Sequence, residues 1–224
     1  MNWYKRLMIL VTFFVSCAAM ALLVAALGTK HWTDARAKRA KNPAESDGKI
    51  HFGLFEGKKE LNVAYGWRTY EMDVIQLLRS EPEFLIYGFW LGTVVSVCAG
   101  LLFSTLSAIF AAVNTATTTS RCLAKVNGLY VWNFFAVFFD LLALCFWLGQ
   151  FFMSIQYNVL SREDRENEWT SEDMAEFGYS FWFVAGAAIA SFVNIIIIVI
   201  ANMEKEETIV PVLEEKTNGA IMLY

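Results

Sequence analysis

Residues 84–113 read FLIYGFWLGTVVSVCAGLLFSTLSAIFAAV, a stretch without a single Asp, Glu, Lys, Arg or His side chain. The hydrocarbon core of a bilayer is about 30 Å thick, and a helix needs about 20 apolar residues to cross it. Because this stretch exceeds that length, it predicts a membrane-spanning helix. The placement of such spans therefore decides the fold of the whole chain.

Three further stretches have the same character, and the four together predict an all-α membrane protein, a bundle of four transmembrane helices. Residues 7–27 and 178–203 carry no charged side chain, and residues 127–157 carry only Asp140. With 57% hydrophobic residues, the chain is too apolar for an ordinary soluble domain. Within a single membrane domain, 1–224, the expected spans are 7–27, 84–113, 129–151 and 179–201.

An even number of spans places both termini on the same side of the membrane. The Lys and Arg side chains number six on the side of the termini and twelve in the two loops of the other side. Taken literally, the positive-inside rule puts the termini outside. However, the long 28–83 loop also holds nine acidic residues and is close to the length limit of the rule. Charge alone therefore leaves the orientation undecided.

The 28–83 loop carries patterns of its own secondary structure. Residues Lys49–Phe55 and Leu61–Tyr70 read as two strands, joined by a turn at Glu56–Lys59 that contains a glycine. Residues Met72–Leu78 read as an amphipathic helix that leads into the second span. The segment Arg36–Pro43 is expected to be a solvated basic turn, with an electrostatic contact to an acidic partner or to lipid headgroups as the alternative.

The 158–177 loop holds seven acidic residues against two basic ones and is expected to be a solvated connector. Its acids do not follow EF-hand spacing, so calcium binding is not expected. His31 and His51 lack Cys or His neighbours at metal-ligand spacing, and no catalytic or nucleotide-binding signature is present. Together with a net charge of −4, these features predict no enzyme activity, no cofactor and no nucleic-acid partner.

Small residues recur at every fourth position of the second span. In membranes such patterns let helix backbones approach closely. Four residues turn a helix by about 400°, so the row drifts by about 40° per step and cannot face one straight neighbour. The pattern favours packing at the bundle centre against successive helices, with a lateral contact in a homo-oligomer as the alternative. The row consists of Gly88, Gly92, Ser96, Gly100, Ser104, Ala108 and Ala112.

Asp140 lies in the middle of the third span, where an ionisable side chain is costly and is a functional candidate by default. No Lys, Arg or His lies in any span, so the low dielectric favours its protonated form. Asn133 lies seven residues earlier on the same helical face, and Asn194 is an expected cross-helix partner. A hydrogen-bonded structural carboxyl is favoured, with a role in transport as the alternative.

Two features outside the spans indicate partners. Cys122 stands beside Arg121 at a membrane edge, which is a typical setting for S-palmitoylation if that loop is cytosolic. The chain ends in Met222, Leu223 and Tyr224. Such a carboxylate end can add as a strand to a PDZ groove, with Tyr224 and Met222 filling the pockets. The expected partners are therefore the lipid bilayer and a PDZ-domain or cytoskeletal scaffold.

Five segments, in chain order, resemble the clarin family. Ala26–Trp32 is similar to the end of the first clarin span, which closes with a Trp, and Phe52–Gly57 resembles the loop motif aromatic-Gly-Leu-Phe-x-Gly. Gly128–Asn133 and Phe177–Trp182 resemble the starts of the third and fourth spans, and the apolar-Leu-Tyr ending is similar too. The long loop lacks the cysteines and the N-glycosylation site of some clarins, which indicates a divergent or cysteine-poor member.

The resemblance implies a claudin-like, left-handed four-helix bundle with a small extracellular β-sheet from the 28–83 loop. It also implies the plasma membrane, cytosolic termini and a cytosolic tail at 204–224. Trp32 and the motif residues Gly53, Leu54 and Phe55 are expected to fix the sheet against the outer membrane face. The implied function is a non-enzymatic scaffold that organises membrane and actin-linked structures, as in the sensory cells of hearing and vision.

Two other functions compete with the scaffold. A claudin-like barrier or pore protein of cell junctions would make homotypic contacts through the long loop, although the missing loop disulfide counts against it. A small transporter or channel would depend on Asp140, whose replacement by Asn should then abolish flux.

Overall fold

The computed structural model describes residues 3–43, 46–62, 66–116 and 126–207. Four of its helices are long and apolar enough to cross a bilayer. A helix satisfies its backbone N–H and C=O groups internally, which is why uncharged segments of this length adopt it in lipid. The four long helices are α1 (Trp3–Gly28), α3 (Tyr87–Ala116), α4 (Val126–Gln150) and α6 (Tyr179–Glu207), and the two short ones are α2 (Val74–Ser80) and α5 (Arg162–Glu166).

The long helices form a four-cornered bundle. Helix α1 packs against α3 and α6, and α4 packs against the same two helices from the opposite corner. A π-helical turn, Phe151–Ile155, extends the end of α4, and Gln156 N donates to Phe151 O at 2.9 Å across it. The mostly helical architecture predicted from the sequence is thus confirmed.

One antiparallel sheet lies at the end of the bundle where α1 ends and α6 begins. The strands are β1 (Thr33–Arg39), β2 (Gly48–Phe52), β3 (Glu56–Asn62), β4 (Trp67–Asp73), β5 (Trp169–Thr170) and β6 (Ala175–Phe177). Their order in the sheet is β4-β3-β2-β1-β5, and β6 also pairs with β1.

The sheet differs from the prediction in which loops build it. The acidic loop was expected to be a solvated connector, but β5 pairs with Lys38 and Arg39, and β6 pairs with residues 33–35. The small antiparallel sheet is therefore confirmed, whereas its assignment to the 28–83 loop alone is wrong. Both loops close onto β1, so the two halves of the chain share one sheet.

The strand bounds within the long loop also differ. The predicted turn at Glu56–Lys59 lies inside β3. The chain reverses three residues earlier, where Gly53 N donates to Glu56 O at 2.8 Å. The predicted basic turn at Arg36–Pro43 begins inside β1. In β1 the charged residues alternate with buried Ala35 and Ala37. The strand therefore has a period of two, but its buried face carries only small side chains.

The amphipathic helix predicted at Met72–Leu78 starts two residues later. Met72 still belongs to β4, and Asp73 is the N-cap of α2. Its Oδ1 atom accepts hydrogen bonds from Ile75 N at 2.9 Å and from Gln76 N at 3.0 Å. A carboxylate that satisfies the free N–H groups of the first turn fixes where a helix begins.

Candidate functional site

The junction between sheet and bundle is organised around Trp32, whose side chain is completely buried. Its indole Nε1 donates to Ala26 O at 2.7 Å, which ties the start of the sheet back to the last turn of α1. Its ring meets Trp147 of α4 edge to face, with ring centroids 5.0 Å apart. Such aromatic pairs add about 0.5–1.5 kcal/mol beyond area burial, so Trp32 anchors the sheet to two helices.

The turn between β2 and β3 supplies the second part of the junction. Trp32 N donates to Phe52 O at 3.0 Å, and Trp90 Nε1 of α3 donates to Leu54 O at 2.8 Å. Leu54 is completely buried, whereas Phe55 keeps about a third of its surface exposed and meets the Trp90 ring edge on. A β-carbon on Gly53 would collide with Thr29 O, so only glycine fits this close approach.

The start of α6 closes the junction from the other side. Gly178 N donates to Trp32 O at 3.1 Å, and Ser180 N donates to His31 O at 3.0 Å. The hydroxyls of Ser180 and Thr29 lie 2.6 Å apart. Gly178 belongs to the Phe177–Trp182 segment that carried the resemblance, whereas Trp90 and Trp147 were not singled out in the sequence. These two tryptophans stand at the ends of different spans, and only the fold brings them together.

A ring of four polar side chains joins all four long helices inside the bundle. Asn133 Nδ2 donates to Ser107 Oγ at 2.8 Å, and Ser107 Oγ lies 3.0 Å from Ser16 Oγ. Asn194 Nδ2 donates to Ser16 Oγ at 2.9 Å and to Asn133 Oδ1 at 3.1 Å. All four residues are buried. The ring therefore fixes the rotation of each helix toward the bundle axis.

Asp140 lies two turns along α4 from this ring and is completely buried. The sequence indicated Asn194 as a cross-helix partner of Asp140. In the structure, Asn194 Nδ2 instead donates to Ser16 Oγ and Asn133 Oδ1 of the ring. Within the described chain, neither carboxyl oxygen has a hydrogen-bond partner, and the same holds for the buried Ser104 Oγ. The carboxyl group packs directly against Gly100 of α3, at the position that a β-carbon of residue 100 would occupy.

The predicted row of small residues does not stay on one face of α3, as expected from the drift of about 40° per four-residue step. Its ends, Gly88 and Ala112, are exposed, whereas its centre is buried. Gly92 packs under the ring of Phe146, and Gly100 packs under Asp140. The central members thus allow α4 to approach closely.

Three aromatic rings form a stack at the rim of the junction. His31 lies parallel to His51 with centroids 4.4 Å apart, and Tyr179 covers its other side at 4.7 Å. His31 Nδ1 lies 2.7 Å from Asp34 Oδ1. Burial, followed by the neighbouring His31, lowers the pKa of His51 below its usual 6.5. Among the described residues, no group of three His, Cys, Asp or Glu side chains is arranged to hold a metal ion.

Comparison with known families decides the identity of this architecture. A family model described as Clarin-2-like matches residues 4–199, which include the junction, the polar ring and Asp140. The chain belongs to the clarin family. Clarin-3 of Mus musculus is 23% identical to this clarin over 197 residues, 87% of this chain and 86% of the relative. Clarin-3 of Rattus norvegicus is 21% identical over 182 residues, 80% and 79% of the two chains.

Clarin membership and the four apolar helices together point to a tetraspan membrane protein. The motif residues that carried the resemblance, Trp32 and Gly53–Phe55, all belong to the junction of this clarin. The predicted palmitoylation site at Cys122 and the predicted PDZ ligand at Met222, Leu223 and Tyr224 lie outside the described residues.

Proposed function

We propose that this clarin is a non-enzymatic organiser of the plasma membrane that presents its sheet outside the cell and both termini inside. Its tail would link the membrane to PDZ-domain or actin-associated scaffolds. By resemblance to other clarins, the expected setting is a sensory cell of hearing or vision. The observation that carries the proposal is the junction, because it holds the sheet as a fixed platform on a membrane bundle.

A platform needs a defined position relative to its membrane anchor, and the contacts of the junction supply one. Trp32, Leu54 and Gly178 each connect the sheet to a different long helix. The core that encloses them continues from the inner face of the sheet into α4. A partner bound to the sheet would therefore be held at a constant height and angle above the lipid.

The first experiment determines the orientation. One epitope is inserted between Asn62 and Gly66, where β3 leads to β4, and another precedes α1. Each epitope is probed with antibody in intact and in permeabilised cells. The proposal requires the loop epitope to be accessible in intact cells and the terminal epitope only after permeabilisation. The reverse pattern would exclude cytosolic PDZ binding and palmitoylation at Cys122.

The second experiment tests the tail with a matched pair of variants. In a strand added to a PDZ groove, alternate side chains enter pockets, so Tyr224 and Met222 point in and Leu223 points out. Tyr224→Ala in the full-length protein should abolish capture by an array of purified PDZ domains. Leu223→Ala should leave that capture within about threefold, a difference under 0.7 kcal/mol. Equal behaviour of the two variants would remove the adaptor proposal.

A second candidate function follows from Asp140, since a completely buried carboxyl without a partner in the described chain favours an ion or proton path. Asp140→Asn keeps the shape of the side chain and removes its charge. Purified protein in liposomes loaded with a pH-sensitive or sodium-sensitive dye would report flux. Flux that disappears in Asp140→Asn would favour transport, whereas no flux in either protein would leave Asp140 as a structural carboxyl.

A further inference from the structure

The outward face of the sheet carries two pairs of like charges in adjacent rows. In the register of β1 and β6, Asp34 lies directly opposite Glu176. One row along, in the register of β1 and β2, Arg36 lies directly opposite Lys49. Like charges that face each other across strands are destabilising. The acidic pair and the basic pair share strand β1 and lie in neighbouring rows of the sheet. Sheet stability does not explain this arrangement.

These charges do not neutralise one another. Among the described residues, no ion pair within 4.0 Å involves Arg36, Lys49 or Glu176. Lys49 instead lies over the ring of Trp67, and Asp34 contacts His31 on the side of the junction. Glu176 and Arg36 therefore remain free to act on a ligand, one as an acceptor and one as a donor.

Both rows border the same groove. A cavity of about 610 Å³ is lined by Asp34 and Glu176 in one row and by Arg36 and Lys49 in the next. His51 also lines the cavity and lies directly opposite Asp34 in the acidic row. Asp173 also lines it, next to Met174, whose O accepts from Arg36 N. Gln156 Nε2 donates to Asp173 Oδ1 at 3.0 Å, which leaves the negative charge of Asp173 in place. A concave surface strengthens the field of the charges that line it, here the acidic row of Asp34 and Glu176 and the basic row of Arg36 and Lys49.

We propose that this groove binds a small zwitterion, with its ammonium group at Glu176 and Asp34 and its carboxylate at Arg36 and Lys49. The planar guanidinium of Arg36 matches a carboxylate with two parallel hydrogen bonds. The carboxylates of Glu176 and Asp34 at the acidic end can accept charge-assisted hydrogen bonds from an ammonium group.

The spacing of the rows selects the type of zwitterion. Asp34 and Arg36 are two residues apart on one strand, which separates the acidic and basic rows by roughly 7 Å. The ammonium and carboxylate groups of an α-amino acid are bonded to the same carbon atom and are too close together to reach both rows. An ω-amino acid, with several methylene groups between ammonium and carboxylate, spans the groove. The site is independent of the scaffold proposal and of the orientation in the membrane.

The experiment is calorimetric titration of the full-length protein in detergent with 6-aminohexanoate, hexylamine and hexanoate. The proposal requires 6-aminohexanoate to bind at least about tenfold more tightly than either singly charged analogue. Arg36→Gln should weaken 6-aminohexanoate binding by a similar factor. Arg68→Gln removes an exposed cation of β4 outside the groove and should leave binding unchanged.

Glu176→Gln distinguishes a lost contact from a misfolded sheet. It should weaken binding of 6-aminohexanoate and at the same time leave the affinity for hexanoate unchanged or higher, since it removes a negative charge from the groove. Equal affinity of the wild type for all three compounds would overturn the proposal. So would an equal loss in the Arg36→Gln and Arg68→Gln variants.

Discussion

The carboxyl group of Asp140 occupies the space that a β-carbon at residue 100 would need. Gly100→Ala should therefore destabilise the protein by about 1–3 kcal/mol, the usual cost of overpacking a close helix contact. The free energy of unfolding, measured by titrating SDS into mild-detergent micelles, would report the loss. If Asp140 is the cause, Asp140→Ala should remove most of the added cost of Gly100→Ala in a double-mutant cycle.

Gly88→Ala provides the matched control on the same helix. A β-carbon at Gly88 meets no atom within 4 Å, so the change adds helix propensity without a clash. We expect this variant to be neutral or more stable than the wild type. Destabilisation of both variants to the same extent would show that the close approach of Asp140 and Gly100 is not what sets the cost.

The polar ring predicts a strong dependence on Asn194. Asn194→Leu removes the two hydrogen bonds that Asn194 Nδ2 donates to Ser16 Oγ and to Asn133 Oδ1. We expect a loss of about 1–2 kcal/mol in the free energy of unfolding, as found for hydrogen bonds between membrane helices. Thr105→Val is the control, because among the described residues the Thr105 hydroxyl donates only to Leu101 O in its own helix. A loss in Thr105→Val as large as that in Asn194→Leu would contradict a special role of the ring.

The junction offers two tryptophans that differ in one hydrogen bond. Trp90 Nε1 donates to Leu54 O at 2.8 Å, whereas Trp147 Nε1 has no acceptor within the described chain. Trp90→Phe should therefore cost about 1 kcal/mol beyond its loss of packing, since the turn carbonyl loses its donor. Amide hydrogen exchange at residues 53–56 would detect this local loosening. Trp147→Phe should loosen the same amides less.

The histidine stack predicts that the junction weakens in acid. Burial and the neighbouring His31 hold the pKa of His51 below 6.5, so the unfolded chain takes up a proton at a higher pH than the folded chain. The contribution of His51 to stability is complete above pH 6.5 and is lost as the pH falls toward its lowered pKa. Asp34 and Glu60 act against this shift, while Lys58 adds to it.

Hydrogen exchange between pH 7.5 and 5.5 would measure the effect. Exchange of the β1 and β2 amides, corrected for its intrinsic pH dependence, should show more frequent opening at the lower pH. His51→Gln cannot take up a proton and should flatten this trend. A wild-type trend that persists unchanged in His51→Gln would assign the acid sensitivity to another group.

The four long helices were readable from the sequence because absence of charge over about 20 residues is a signal that needs no tertiary information. Strand β1 was missed for the opposite reason. Its inward positions hold Thr33, Ala35 and Ala37, which are small, and its outward positions are charged. A period of two was present, but the hydrophobic contrast that normally reveals it was weak.

The interior contacts were only partly predictable. Asn133, Asp140 and Asn194 stood out as polar residues in apolar surroundings, yet their pairing depends on how far each helix is rotated. Ser16 and Ser107 complete the ring, but serine is common in membrane helices and carries no distinct signal. The partners of the junction lie on separate spans, so their meeting follows from the fold alone.

The pairing of β6 with β1 has a consequence for how the chain is made. Strand β6 immediately precedes α6, so it leaves the ribosome after three of the four long helices. Until then one edge of β1 has no strand to pair with, and open edges invite association with other chains. The nascent protein therefore reaches its protected form only when its last helix enters the membrane. Premature stop codons between α4 and β6 should yield a product that quality-control machinery retains and degrades.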